Sequence, residues 1–207
     1  MSVQWTDMKP LKLKIILGST REGRFSDTAG AWALEQTKKH PEFETEIVDL
    51  RDYAMPFFDQ AVTPSSKTEP YTNEAVARWT AKVADGDAFL VIAPEYDRGV
   101  PAVLKNAVDW VYGEWHKKPV GFVGYGTTGG SRSVDNLRTS AIELQMVPVR
   151  QAVHIVAHWN LRENFTGPLK PGALDQYEGN ASAMLDQIKE WGEATRRMRL
   201  DQSTVQA

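Results

Sequence analysis

Short apolar runs alternate with longer amphipathic stretches along this chain. Leu11 to Leu17 (LKLKIIL) reads as a first strand. Ser26 to Lys39 follows as a helix, with Ala29, Trp32, Ala33 and Gln36 at helical spacing and Pro41 ending it. Glu44 to Leu50 alternates as a second strand with Ile47 inward, and Arg51 to Tyr71, rich in Pro and Ser, reads as loop. Asn73 to Asp85 carries Val76, Trp79 and Val83 on one helical face, with Asn73 placed to cap it. Ala88 to Ala93 (AFLVIA) is unbroken apolar sequence, as expected of a central parallel strand buried on both faces. A helix over Pro101–Tyr112, a strand over Pro119–Val123, a helix over Arg132–Gln145 and a fifth strand over Val147–Ile155 complete the alternation. Ala157 to Gly179 reads as surface loop. A final helix over Ala181–Leu200 puts Met184, Leu185, Ile188, Trp191 and Met198 on one stripe.

Strand–helix alternation of this kind predicts a three-layer α/β fold around a five-stranded parallel sheet. Right-handed crossovers make 2-1-3-4-5 the natural strand order. Residues 11–200 are expected to form a single domain, with 160–200 as a peripheral loop and C-terminal helix and 1–10 as a flexible N-terminus.

Composition narrows the function. The 207 residues contain no Cys, which removes disulfides, thiolate nucleophiles, iron–sulfur ligation and zinc–cysteine sites, and fits a cytoplasmic setting. Lys and Arg number 24 against 27 Asp and Glu, for a net charge of −3, so there is no general electrostatic reason to bind nucleic acid. No apolar stretch is long enough to span a membrane, and Met1 to Pro10 lacks the apolar core of a secretory signal.

In such sheets ligands bind beyond the carboxyl ends of the strands, which directs attention to three loops. The first, GSTREGRFS (18–26), brings hydroxyls, backbone amides and two guanidinium groups to a helix start, the arrangement that holds a phosphate. A turn with a helix cap is the simpler account of the same residues. The Walker A pattern nearly fits, but Arg24 and Phe25 stand where Lys and a hydroxyl are required, which argues against an NTPase. The second loop, Ala93–Pro101, offers backbone donors and an aromatic ring suited to a flat heteroaromatic ligand, or simply a strand-to-helix turn. The third, GYGTTGGS (124–131), contains G-x-G-x-x-G. It follows the fourth strand rather than the first, and no acidic residue ends the next strand, so a dinucleotide fingerprint is disfavoured. Close backbone approach to a planar ring, or a flexible turn, remains for it.

On these residues the chain resembles the NADPH-dependent FMN reductases, a flavodoxin-like family that includes quinone, azo-dye and chromate reductases. The matching stretches are GSTREGRFS (18–26), PEYDRGVPAVLKNAVDW (94–110) and GYGTTGGSRSVDNLR (124–138), and the likeness spans residues 12–155. The resemblance implies FMN as cofactor and NADPH as co-substrate. It implies that Ser19, Arg21, Arg24 and Ser26 bind the FMN phosphate. Pro94, Glu95, Tyr96 and Asp97 would line the ring and ribityl chain, and Gly126, Thr127, Thr128 and Gly129 would meet the pyrimidine end. Where this chain has Asp97 the family usually has Asn. The position of Phe25 is often small and polar in relatives, so its ring is expected on the flavin or on a partner subunit. The acceptor would be a small molecule (quinone, azo compound, metal oxyanion or free flavin), and the assembly a homodimer or homotetramer.

No side-chain nucleophile or catalytic acid is expected, because the chemistry belongs to the cofactor. The competing readings are a flavodoxin-like FMN-binding electron carrier without pyridine-nucleotide turnover, and a flavin-free NAD-binding module. His154 and His158 lie at a strand end and loop, so metal ligation is not expected; His40 and His116 are expected in solvated turns, and Lys105 at the surface. Trp110, Tyr112 and Trp115 are candidates for a subunit interface.

Overall fold

The computed structural model describes residues 9–205 except Thr166, and the side chains of 202–205 fall outside it. Of the N-terminal arm expected at 1–10, residues 1–8 lie outside the described residues. The strands are β1 (Leu11–Leu17), β2 (Phe43–Asp49), β3 (Ala88–Pro94), β4 (Pro119–Gly126), β5 (Val147–Pro148) and β6 (Val153–Val156). The helices are α1 (Ser26–Thr37), α2 (Glu74–Asp85), α3 (Ala102–Asp109), α4 (Ser131–Glu143) and α5 (Glu178–Val205). The strand pairs are parallel in the order β2-β1-β3-β4-β5, with β6 also on β4. The fold is the flavodoxin-like one expected.

Side-chain parity in β3 divides the core into two. Ala88, Leu90 and Ile92 pack with α1 and α5, against Ala29, Ala33, Met184, Leu185 and Ile188. Phe89, Val91 and Ala93 pack on the other face with α2, α3 and α4, against Trp79, Leu104, Trp110 and Leu137. Successive residues of a strand point to opposite faces, so an unbroken apolar run is what a doubly covered strand needs. Asn73 caps α2 as expected, its side-chain oxygen accepting from the Val76 N–H at 3.2 Å.

Five expectations fail on packing. The fifth strand is two short pieces. Between them the Arg138 guanidinium donates to the Val149 and Arg150 carbonyls, and the Gln187 side chain accepts from the Gln151 N–H, so side chains take the bonds a ladder would. Ile47, expected inward, is 37% exposed on the edge strand, while Val48 is buried. Trp191 is 47% exposed because α5 turns that position outward. Trp110 and Trp115 are core residues, 1% and 3% exposed, so the aromatic cluster does not carry the expectation of an oligomer. His40 and His116, expected to be solvated, are partly buried; His40 lies 3.4 Å from Glu42 and the His116 Nε2 is enclosed. Lys105 is at the surface, paired with Asp109. Among the described residues no helix is long and apolar enough to cross a membrane.

At the amino edge of the sheet Lys118 is buried and donates to the Val83 and Ala84 carbonyls at 2.9 Å each, closing the end of α2. Burial pushes its ammonium down from 10.5 to about 8, with Arg199 adding to the effect. Between those two pH values the unfolded chain holds a proton that the folded chain has released, so stability rises with pH across the window. Urea denaturation at pH 7.5 and pH 10 should show that rise in wild type, and K118M should remove the Lys118 share of it.

Candidate functional site

Loop one leaves β1 at Gly18, whose N–H bonds the Ile92 carbonyl at 3.0 Å, and enters α1 at Ser26. Its two arginines part company. Arg24 is buried, and all five of its donors are engaged: Nε and one terminal nitrogen on Asp27 (2.8 and 2.5 Å), the terminal nitrogens also on Asp49 and on the Ser19 carbonyl. No donor is left for a ligand, so Arg24 sits beneath the loop as a positioning residue, contrary to its expected place on the phosphate. The Asp49 hydrogen bond leads in raising the pKa of its guanidinium, outweighing burial. Arg21 is exposed, its guanidinium 5.5 Å from the Tyr96 ring centre, and no salt bridge holds it among the described residues. Arg51 secures the loop from outside through the Thr20 and Arg21 carbonyls.

The hydroxyls meet in pairs. Ser19 Oγ lies 2.6 Å from the Tyr96 hydroxyl and accepts from the Arg21 N–H at 3.3 Å; Ser26 Oγ lies 2.7 Å from the Tyr125 hydroxyl. Both serines are fully buried. Phe25 precedes α1 and gives its first turn no side-chain cap. Its ring is 3% exposed, packed edge-on to Tyr125, so neither a flavin nor a partner subunit is needed to cover it.

Loop two follows β3. Pro94 is buried in the strand end. The Glu95 side chain, expected at the ring, turns to the start of α4. Its carboxylate accepts from the Arg132 N–H (3.1 Å), the Arg132 guanidinium (3.0 Å) and the Thr128 hydroxyl (3.3 Å). Burial alone would raise its pKa, but the Arg132 and Thr128 bonds win and hold it below the ordinary carboxylate value. Glu95 thus ties loop two to loop three. Tyr96 and Gly99 exchange backbone bonds of 3.1 and 2.9 Å around Asp97 (φ 47°) and Arg98 (φ 69°), a tight turn with both central residues left-handed. Asp97 is exposed at the turn. Asn and Asp are the side chains that best tolerate this conformation, which accounts for Asp at a position the family gives to Asn.

Loop three is folded back on the sheet. Gly130 has φ 70°, and a Cβ there would lie 2.6 Å from the Tyr125 nitrogen and 2.8 Å from the Ala93 oxygen. A Cβ at Gly129 would lie 2.8 Å from the His154 Cβ. These two glycines serve the loop's own packing. Gly126, Thr127 and Thr128 face outward, and both threonines are exposed. His154 Nδ1 lies 2.9 Å from the Gly129 carbonyl, so that nitrogen carries the proton and His154 pins the loop. No motif in the sequence marks this contact, which follows from the pairing of β6 with β4, where His154 lies opposite Gly124.

A cleft of about 370 Å³ opens beside loops one and two, lined by Thr20, Arg21, Met55, Phe57, Tyr96 and Val103. Its far wall is held by Asn106, which accepts from the Phe58 N–H (2.9 Å) and donates to the Pro56 carbonyl (2.8 Å), and by Trp110 Nε1 on the same carbonyl (2.8 Å). Asn106 did not stand out in the sequence, and Trp110 stood out only as a candidate for a subunit interface.

A three-layer α/β protein whose polar loops gather at the carboxyl ends of β1, β3 and β4 has the architecture of flavodoxin-like flavoenzymes. FerB, a flavoenzyme NAD(P)H:(acceptor) oxidoreductase from Paracoccus denitrificans, superposes with a TM-score of 0.68 at 21% identity, over 87% of this chain and 98% of that one. The sequence goes further: residues 11–160 match the model of the NADPH-dependent FMN reductases, and the chain belongs to that family. An NAD(P)H-dependent FMN reductase of Schizosaccharomyces pombe is 35% identical over 144 residues, 69% of this chain and 72% of the relative. An NADPH:quinone oxidoreductase of Arabidopsis thaliana is 31% identical over 147 residues, 68% of this chain and 72% of that protein. The protein is an oxidoreductase that uses FMN and NAD(P)H.

The donor set fits that cofactor. An uncapped helix start, an arginine without a carboxylate partner and buried hydroxyls suit a phosphate, and a glycine-shaped loop beside an aromatic residue suits a ring. Replacing Arg24 by Met should cost about 3 kcal/mol of stability in urea denaturation, because it leaves Asp49 partly buried without its counter-charge. FMN affinity should fall with it, since the loop loses its support.

Proposed function

We propose that the protein is an NADPH-dependent reductase of small acceptors, with the FMN phosphate on loop one and the ring across loops two and three. The observation that carries this reading is the division of labour in loop one, where Arg24 is consumed in holding the loop and Arg21 stands uncommitted at its open side. Arg21, the loop amides and the first-turn N–H groups of α1 grip the phosphate, with the Ser19 and Ser26 hydroxyls as further partners. Tyr96 and the backbone of residues 94–97 line the ribityl chain and ring. The N–H groups of the exposed Thr127 and Thr128 face its pyrimidine edge and stabilise negative charge that develops there. Bound FMN would supply the redox chemistry that links NADPH oxidation to reduction of the acceptor.

The chain itself orients and shields. Glu95 and Arg132 lock loops two and three together, and His154 holds Gly129. The cleft beside Tyr96 and Phe57 gives a small aromatic acceptor an apolar wall next to the ring. Quinones and azo compounds fit that description best, and relatives named 2-hydroxy-1,4-benzoquinone reductase and FMN-dependent NADPH-azoreductase support it.

Under anaerobic conditions NADPH should bleach the bound flavin, and a quinone or azo dye should restore its colour. A flavin that stays yellow in the presence of NADPH overturns the reductase reading in favour of an electron carrier. Arg21→Ala should weaken FMN binding about tenfold or more while barely changing riboflavin binding, as loss of a charge-assisted phosphate contact predicts.

A further inference from the structure

The reading above leaves one side chain at the start of α1 unused. His158 lies in a short 3-10 turn, His158–Leu161, just after β6. Its imidazole is stacked 4.4 Å from the ring of Phe25, the residue immediately before α1, and 5.3 Å from the ring of Tyr125. Its Nδ1 is enclosed and has no hydrogen-bond partner among the described residues. A buried ring nitrogen left without a partner calls for a reason.

The surroundings supply one. The charged groups acting on the imidazole are both cationic: Arg162, whose guanidinium lies 5.2 Å from the Phe25 ring centre, and Arg21 of loop one. The rings packed around it are Phe25 ahead of α1, Tyr125 of β4 and neighbouring Trp159. The Tyr125 phenol is kept neutral by burial and bonded to Ser26. The acid in the first turn of α1, Asp27, is taken by Arg24. Three basic side chains therefore lie near a positive helix end, and among the described residues no carboxylate is directed at the imidazole. That arrangement is favourable around a dianion.

We propose that His158 is a further residue of the FMN phosphate site, and that the bound phosphate dianion draws a proton onto its imidazole, tightening the grip on the cofactor as the ring becomes charged. The inference rests on the phosphate placement proposed above. Without the anion, burial and the charges of Arg162 and Arg21 push the imidazole down to about 4, so it is neutral near pH 7. A dianion beside Arg21 reverses the sign of the field that depresses it. Binding then takes up a proton, and by linkage FMN affinity gains from His158 as pH falls from 8 toward 6. Riboflavin, which lacks the phosphate, gains nothing.

The test follows the imidazole directly. The chain has four histidines, so two-dimensional NMR of the labelled rings gives four titration curves, and H158Q identifies one by its loss. The expected result is a His158 curve that moves up by about three pH units, to near neutrality, with saturating FMN and stays in place with riboflavin. In parallel, H158Q should weaken FMN binding about tenfold at pH 6 and clearly less at pH 8, with riboflavin affinity unchanged. If FMN binds, as quenching of its fluorescence reports, but leaves the His158 curve unmoved, this inference is overturned while the flavin reading stands. If FMN does not bind at all, both fall together. If H158Q folds poorly, H40Q, H116Q and H154Q assign the other three curves, and the wild-type titration still decides the matter.

Discussion

The site depends on one desolvated guanidinium. Arg24 joins the end of β2 through Asp49, the first turn of α1 through Asp27, and loop one through the Ser19 carbonyl. A buried charge is tolerated only when its donors are all satisfied, and here they are. The same contacts settle the polarity of what lies above. Asp27 is the acid that would otherwise sit against the positive end of α1. With that carboxylate turned to Arg24, the helix start and Arg21 form a positive surface that no carboxylate among the described residues neutralises, a setting that favours an anion.

The three loops then act as one surface because they are tied crosswise. Glu95 reaches from the end of β3 to the start of α4, Tyr125 of β4 reaches Ser26 of α1, and Tyr96 reaches Ser19. These links span one, three and two crossovers of the parallel sheet in turn, so displacement of any one loop strains the others. His154 adds a fourth tie, from the outermost strand to Gly129.

The sheet order, the two-sided core of β3 and the Asn73 cap were legible because they follow from period and local capping chemistry alone. The positions of the three loops were legible for the same reason. The division of labour between Arg21 and Arg24 was not, because it depends on Asp49, twenty-odd residues away on another strand, and sequence spacing says nothing about which carboxylate meets which guanidinium. Ile47 misled because alternation identifies a strand without saying whether its outer face at a sheet edge is covered. Trp110 and Trp115 misled in the opposite direction: aromatic clusters suit interfaces and cores alike, and only burial separates the two. Glu95 was placed at the ring by resemblance, whereas its carboxylate binds an N–H group of α4, a partner no motif records.

The interruption of the last strand position carries a consequence for how the molecule behaves in company. A long, flat outer strand offers unpaired amides and carbonyls on which a foreign strand can grow. Beyond β4, among the described residues, there is only a two-residue piece and a four-residue piece, with the backbone between them already claimed by Arg138 and Gln187. At the opposite border β2 carries Glu44 and Glu46, both exposed. Each margin of the sheet is therefore blunted in its own way, one by fragmentation and the other by charge, and neither is a ready seed for fibre-like stacking.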